Sequence, residues 1–224
     1  MNTVIFDLDD TLLDSYGARV RSLAAVFTKA GVTGLTADAF LRGLRGAPFN
    51  RSLEELRQSR GLEADLFISY RRAYWLAGPG HVSLYPGVRE MLDNLKSAGC
   101  RLGIVTNKGR HFDFEGRCVG CLDELEEVGI ARLFDTIIGF EDVTDQKPHP
   151  LGINLALRNL HAAPPDALVV GDSPVDIMAA KSAGCRSCRA LWGIAPDAED
   201  DACPPPDFTA AAPGDVVRIL AEIL

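Results

Sequence analysis

Short apolar runs alternate along this chain with amphipathic stretches, the pattern of an α/β protein. Thr3-Val4-Ile5-Phe6 reads as a buried strand that ends in the acidic run Asp7-Leu8-Asp9-Asp10. Arg101 to Val105 reads as a second strand, ending at Thr106-Asn107. Thr136 to Ile138 is a third, Ala167 to Val170 a fourth that ends at Gly171-Asp172, and Ser187 to Leu191 a weaker fifth. Between them, Val88 to Ala98 puts Val88, Met91, Leu92 and Leu95 on one helical face, with Gly99 as a stop. Pro174 to Ala183 opens on proline and is followed by Gly184, the expected helix asymmetry, and Asp215 to Leu224 closes the chain. Parallel strands with helical crossovers predict a doubly wound parallel sheet, whose ligands bind at the carboxyl ends of the strands.

Residues 16–84 break the alternation. Arg19 to Ala30 carries Val20, Leu23, Ala24 and Phe27 at helical spacing and stops at Gly31. Ser52-Leu53-Glu54-Glu55 has the capping-box pattern that opens a short helix, and Glu63 to Ala77 is helical by composition. No strand is legible there. The reading is an inserted helical domain at 16–84, with 1–15 and 85–224 forming the α/β core and hinges near Leu12–Tyr16 and Ser83–Gly87. Asp197 to Pro206, acidic and rich in proline, reads as a surface loop.

Charge sharpens the division. Residues 16–84 hold ten Lys/Arg and five Asp/Glu, a net of +5; the rest hold 13 and 26, a net of −13. Such an asymmetry fits two parts with different jobs. The whole chain, 224 residues at net −8 with 47% hydrophobic residues, has material for a sizeable core. Its acidity argues against a general nucleic-acid binder. No apolar run reaches the ~18 residues of a membrane span. The N-terminus has no basic stretch and meets acid at once, unlike a signal peptide. Six cysteines are too few for a small disulfide scaffold, so a reducing cytoplasm is the expectation.

The candidate chemistry lies at the strand ends. In an extended segment residues two apart point the same way, so Asp7 and Asp9 can share a pocket, as a metal site or as nucleophile and acid. Thr106 and Asn107 offer neutral donors for phosphoryl oxygens. Lys147, before Pro148, is a fixed cation. Asp172 and Asp176 lie one helical turn apart. Hard oxygen ligands of this kind select Mg²⁺.

Asp7-Leu8-Asp9-Asp10-Thr11-Leu12, Thr106-Asn107, Lys147-Pro148 and Gly171-Asp172-Ser173-Pro174-Val175-Asp176 resemble, in order, the four motifs of the haloacid dehalogenase superfamily. The helical insert, and Tyr85-Pro86-Gly87-Val88 after it, resemble the phosphoglycolate phosphatase-like branch. The resemblance implies a Rossmann-like core with a helical cap, and a Mg²⁺-dependent phosphatase acting on a small phosphorylated metabolite. It implies that Asp7 attacks phosphorus and becomes an aspartyl phosphate, and that Asp9 protonates the leaving oxygen and then activates water. Thr106 would bond the phosphoryl group, with the backbone around Asn107 helping, and Lys147 would neutralise charge. Mg²⁺ would sit on Asp7, the Asp9 carbonyl and Asp172, with Asp176 acting indirectly. One departure is Asp10, where the family often has glycine; it is expected to turn away from the metal.

Other readings stay open. A phosphomutase of the same superfamily is an alternative. A haloacid dehalogenase would not need Asp9, and a non-catalytic binding protein would be expected to lack a motif residue. In the insert, Arg42, Arg45 and Arg51 flank the turn Gly46-Ala47-Pro48 and are candidate substrate contacts, as Arg suits phosphate and carboxylate. The insert is expected to close over the site and supply such a cation. Two CxxC pairs, Cys118/Cys121 and Cys185/Cys188, raise a Cys₄ zinc site. Cys185–Cys188 enters a strand, where residues three apart face opposite ways. Cys118–Cys121 lies in the Gly-broken stretch 116–121, near His111 and longer than this region usually is in the family. Free thiols in a pliable loop are expected there, with a redox pair or half a metal site as alternatives. The sequence leaves the substrate and the oligomeric state undetermined.

Overall fold

The computed structural model describes residues 2–44, 47–77, 80–193 and 203–223. The chain divides into two compact units, Ser15–His81 and a larger one of Met1–Asp14, Val82–Ala195 and Asp200–Leu224. Each is built around its own apolar core.

The smaller unit is helical: α1 (Tyr16–Ala30), α2 (Ala37–Gly43), α3 (Phe49–Ser59) and α4 (Leu66–Trp75). Leu23, Leu53, Leu66 and Tyr74 are fully buried within it. A line of edge-to-face rings runs from Phe27 through Phe40 and Phe49 to Tyr70. Gly31, left-handed at φ 71°, ends α1. The sequence pattern missed α2, which Thr36 caps by accepting from the Ala39 N–H. It also placed the start of α3 too late. Ser52 is not a cap: its N–H bonds the Pro48 carbonyl, and the helix opens behind that proline, which lets Phe49 join the ring cluster. Asp65 caps α4, so the helix expected from Glu63 begins at Leu66. Arg45 and Gly46 lie outside the described residues.

In the larger unit the strands are β1 (Thr3–Phe6), β2 (Leu13–Asp14), β3 (Ser83–Leu84), β4 (Arg101–Val105), β5 (Phe112–Phe114), β6 (Arg117–Val119), β7 (Thr136–Ile138), β8 (Ala167–Gly171), β9 (Arg186–Ala190) and β10 (Phe208–Ala210). Six form a parallel sheet in the order β10-β9-β8-β1-β4-β7. Its helices are α5 (Val88–Ser97), α6 (Cys121–Glu127), α7 (Leu151–Asn159), α8 (Pro174–Ser182) and α9 (Pro213–Ile223). Alternation along β1 and β8 sends Val4, Phe6, Leu168 and Val170 into one apolar layer with α5, α6 and α9. Ile5, Ala167 and Val169 go into the other layer, with α7 and α8. The strand order reverses between β1 and β4, so the switch point of the sheet falls beside the carboxyl end of β1.

β10 was not legible because an edge strand of three residues leaves no apolar run. The antiparallel pair β2–β3 joins Leu13 to Leu84 and Asp14 to Ser83, where hinges were expected. The stretch after Thr106 is not a pliable loop but a β5–β6 hairpin leading into α6. Gly120 approaches the Arg110 carbonyl so closely that a Cβ there would overlap it. Cys118 is exposed on β6 while Cys121 is fully buried at the start of α6, which separates the two thiols. Cys185 and Cys188 enter opposite apolar layers. Burial pushes the thiols of Cys121, Cys185 and Cys188 up to about 12. No helix among the described residues is long and apolar enough to cross a membrane.

Candidate active site

The carboxyl ends of β1, β4 and β8 present the polar residues that follow their apolar runs. Asp7 continues β1, and its N–H still bonds the Val170 carbonyl at 2.8 Å. The chain then turns tightly, with the N–H groups of Leu12 and Leu13 both reaching the Leu8 carbonyl. Asp10 sits in this turn at φ 64°, a left-handed conformation that glycine adopts freely and Asp tolerates. An Asp can therefore stand where the resemblance leads one to expect glycine. Trp192 Nε1 donates to the Thr11 carbonyl at 2.8 Å, and Gly193 lies so near the Asp10 carbonyl that a Cβ would overlap it.

Lys147 is at the centre of the site. Its Nζ donates to Asp7 Oδ1 at 2.5 Å and to Asp176 Oδ1 at 2.6 Å, and its side chain is 4% exposed. Asn107 holds the lysine by its backbone: the Asn107 amide donates to the Lys147 carbonyl and accepts from the Lys147 N–H, both at 3.0 Å. The Asn107 side chain, expected on substrate, therefore positions Lys147. Asp176, one turn into α8, accepts on Oδ2 from the Ser173 N–H and hydroxyl, at 3.1 and 2.5 Å. Asp172 Oδ1 accepts from Thr11 Oγ1 at 3.3 Å. Buried Thr106 accepts on Oγ1 from the Lys108 N–H at 3.1 Å.

Burial pushes the Asp7 carboxyl up to about 7; the Asp176 and Asp9 carboxylates push the same way, and Lys147 opposes them. Burial pulls the Lys147 ammonium down, but Asp176 and Asp7 outweigh it and raise it above its ordinary value. Both ends of one ion pair thus move upward: burial dominates at Asp7, and two carboxylates outweigh burial at Lys147. Oxygens of Asp7, Asp172 and Asp176 lie within 4.8 Å of one another. With Asp7 ionised, three carboxylates against one ammonium leave two negative charges among hard oxygen donors. That donor set fits a divalent hard cation. With both oxygens of Asp176 engaged, Asp7 and Asp172 are the side chains best placed to hold it.

Gly171 faces this cluster, and a Cβ there would overlap the Asp176 carboxyl. Gly171→Ala is expected to displace Asp176 from Lys147 and to destabilise the protein by about 1–3 kcal/mol, read from a denaturant midpoint. An unchanged midpoint would show that the cluster yields without cost.

The sequence reading missed Lys108 and Glu124. Lys108 Nζ donates to Asp9 Oδ1 at 3.1 Å and to Glu124 Oε1 at 2.8 Å. The Asp9 side chain is thus turned to Lys108, and the Asp9 carboxylate does not belong to the acidic cluster. A lysine next to Thr106-Asn107 was a visible signal; Glu124, one of several acids on α6, gave none. Of the cations expected to read substrate, Arg42 pairs with Asp38 at 3.1 Å and lies over the Tyr16 ring, and Arg51 is exposed on α3. Arg45 is not among the described residues. Cys118 Sγ lies 2.9 Å from His111 Nε2.

The model of the haloacid dehalogenase-like hydrolases matches residues 4–190. The phosphoglycolate phosphatase of Vibrio vulnificus (strain CMCP6) is 34% identical over 222 residues, covering 92% of this chain and 90% of its own length. The pyrophosphatase PpaX of Bacillus velezensis is 32% identical, covering 87% of this chain and 85% of its own. The solved structure of a haloacid dehalogenase-like family hydrolase from Streptococcus pneumoniae is 26% identical, covers 98% of both chains and superposes with a TM-score of 0.77. With its switch-point carboxylates, shared lysine and matched span, the chain belongs to the haloacid dehalogenase-like hydrolases.

Proposed function

We propose that this hydrolase is a Mg²⁺-dependent phosphatase of small phosphorylated metabolites that works through an aspartyl phosphate on Asp7. The observation that carries the reading is the buried Asp7–Lys147–Asp176 bridge beside Asp172. Asp7 and Asp172 would hold the cation, which would neutralise phosphoryl charge and favour the ionised form of Asp7, whose proton is lost to solvent. Asp7 attacks phosphorus while Asp9 gives its proton to the departing oxygen. Asp9 then takes a proton from water, which attacks the aspartyl phosphate, releases inorganic phosphate and regenerates Asp7. Thr106 bonds the phosphoryl oxygens in transit. Lys147 neutralises charge shared by Asp7 and the phosphate, and Asn107 and Asp176 fix it in place. Most of the rate enhancement asked of such a site is positioning and charge neutralisation.

The phosphoglycolate phosphatases among the relatives make a phosphorylated small carboxylate the first substrate to test, with pyrophosphate second. A panel of phosphate esters should release phosphate with Mg²⁺, stop with a chelator and recover on adding Mg²⁺ back. Release from no ester, or full activity in exhaustively chelated protein, would overturn the reading; isomerisation of a sugar phosphate without net release would favour the mutase. Arg42, Arg45 and Arg51 are proposed to read the rest of the substrate. Alanine at one of them at least should raise KM, and three unchanged KM values would remove them from recognition.

The metal also sets a pH signature. Asp7 keeps its proton in the native metal-free protein up to about 7, whereas an unfolded Asp loses it near 3.8. The native state therefore binds more protons across that window, and metal-free stability should fall as pH rises from about 4 to about 7. Mg²⁺ should offset this loss, so its effect on the melting temperature should grow with pH. A Mg²⁺ shift independent of pH would contradict the assignment of Asp7 as a ligand.

A further inference from the structure

Lys108 and Glu124 form a buried ion pair that the proposed steps leave unused. Glu124 is 1% exposed, and both of its oxygens face Lys108 Nζ, at 2.8 and 2.6 Å. The Lys108 side chain is 11% exposed and reaches past Glu124 to Asp9 Oδ1. Its backbone N–H meanwhile donates to Thr106 Oγ1. One residue thus touches both the phosphoryl-binding threonine and the acid.

We infer that Lys108 is a positioning residue for Asp9, held in place by Glu124, and that the pair aims the Asp9 carboxyl at the leaving oxygen. This inference rests on the phosphatase reading above. Asp9 stands in the tight turn after β1. A carboxylate that must meet the leaving oxygen needs an anchor to keep one rotamer, and a displacement of about 1 Å from the reacting atoms can cost on the order of 10²-fold in rate. Lys108 supplies the anchor through one oxygen. A lone ammonium there would add a positive charge beside a site that must take a divalent cation. Glu124 cancels it, so that Asp9 gains a hydrogen-bond donor without a net change in local charge. α6 brings Glu124 to this spot: the Cys121 N–H bonds the Gly109 carbonyl and the Leu122 N–H bonds Arg110, locking the helix start to the residues that follow Lys108. The β5–β6 hairpin lies between those two anchored ends.

The test uses two esters. An alkyl phosphate leaves as an alkoxide and needs the proton of Asp9; p-nitrophenyl phosphate leaves as a stable phenolate and hardly does. Lys108→Met should lower kcat/KM on the alkyl ester by about 10- to 10²-fold and on the nitrophenyl ester by no more than about threefold. Lys108→Arg, which keeps a donor to both acids, should recover most of the loss. In an Asp9→Asn background Lys108→Met should add little, because the two substitutions remove one interaction. Should Lys108→Met fail to fold, Lys108→Met with Glu124→Leu removes both buried charges at similar volume and should show the same split. Equal loss on both esters, or no loss on either, would overturn the positioning role while leaving the phosphatase reading intact. A wild-type protein that hydrolyses neither ester would fail the phosphatase reading itself, and the inference with it.

Discussion

Asp7→Asn is expected to abolish turnover, by at least about 10³-fold, in a protein that still folds. An amide nitrogen cannot make the acyl phosphate. The fold should survive because the Asp7 backbone bond to Val170 is untouched and Lys147 keeps Asp176 as a partner. The same variant should gain stability. Above pH 7 the native metal-free protein carries a buried carboxylate that burial has pushed up to about 7, and asparagine removes it. The metal-free variant should therefore melt higher than wild type at pH 8, and the advantage should fade towards pH 4, where wild-type Asp7 is protonated in the native state. Loss of activity together with a gain in stability is a signature that simple misfolding cannot give. Turnover persisting in the purified variant would remove Asp7 as nucleophile. Asp9→Asn should cost ~10²–10⁴-fold, the usual worth of a general acid and base.

Lys147→Met should damage both stability and rate. It takes away the cation that bridges Asp7 and Asp176 and leaves two carboxylates facing each other in a pocket where Asp176 is 1% exposed. Breaking a buried pair from one side costs about 3–5 kcal/mol, a large share of the ~5–15 kcal/mol that holds a domain together. Added Mg²⁺ should recover part of that, since it supplies positive charge to the same oxygens. The rate should fall by at least about 10²-fold even in protein kept folded, because the phosphoryl charge loses a preorganised partner. A Lys147→Met protein with wild-type melting and wild-type kcat would show that the lysine is neither structural nor catalytic.

Much of this site could be read along the chain because its residues sit where apolar runs stop. Asp7 follows Phe6, Thr106 follows Val105 and Asp172 follows Gly171, and a doubly wound sheet brings such positions to one edge. What the sequence hid was the partnership between distant segments. Spacing put Asp176 one turn beyond Asp172 but did not name its partners; the structure keeps it in the acidic cluster and bonds its oxygens to Ser173 and Lys147. Asn107 looked like a substrate donor, yet it closes a two-bond clasp on a backbone forty residues away in sequence. Glu124 is chemically indistinguishable along the chain from Asp123, Glu126 and Glu127, and only the packing of Cys121 and Leu125 turns it inward. The CxxC spacing at 118–121 left a shared site open as an alternative to the free thiols expected there; both thiols are free, and a hairpin strand and a helix start give them opposite surroundings.

The central claim, covalent catalysis at phosphorus, is tested most directly by the stereochemical course of hydrolysis. A phosphorothioate ester made chiral at phosphorus with two oxygen isotopes, hydrolysed in water of the third isotope, should yield inorganic thiophosphate of retained configuration, because attack by Asp7 and then by water gives two in-line inversions. Net inversion would mean that water attacks the ester directly, and would contradict the aspartyl phosphate on Asp7.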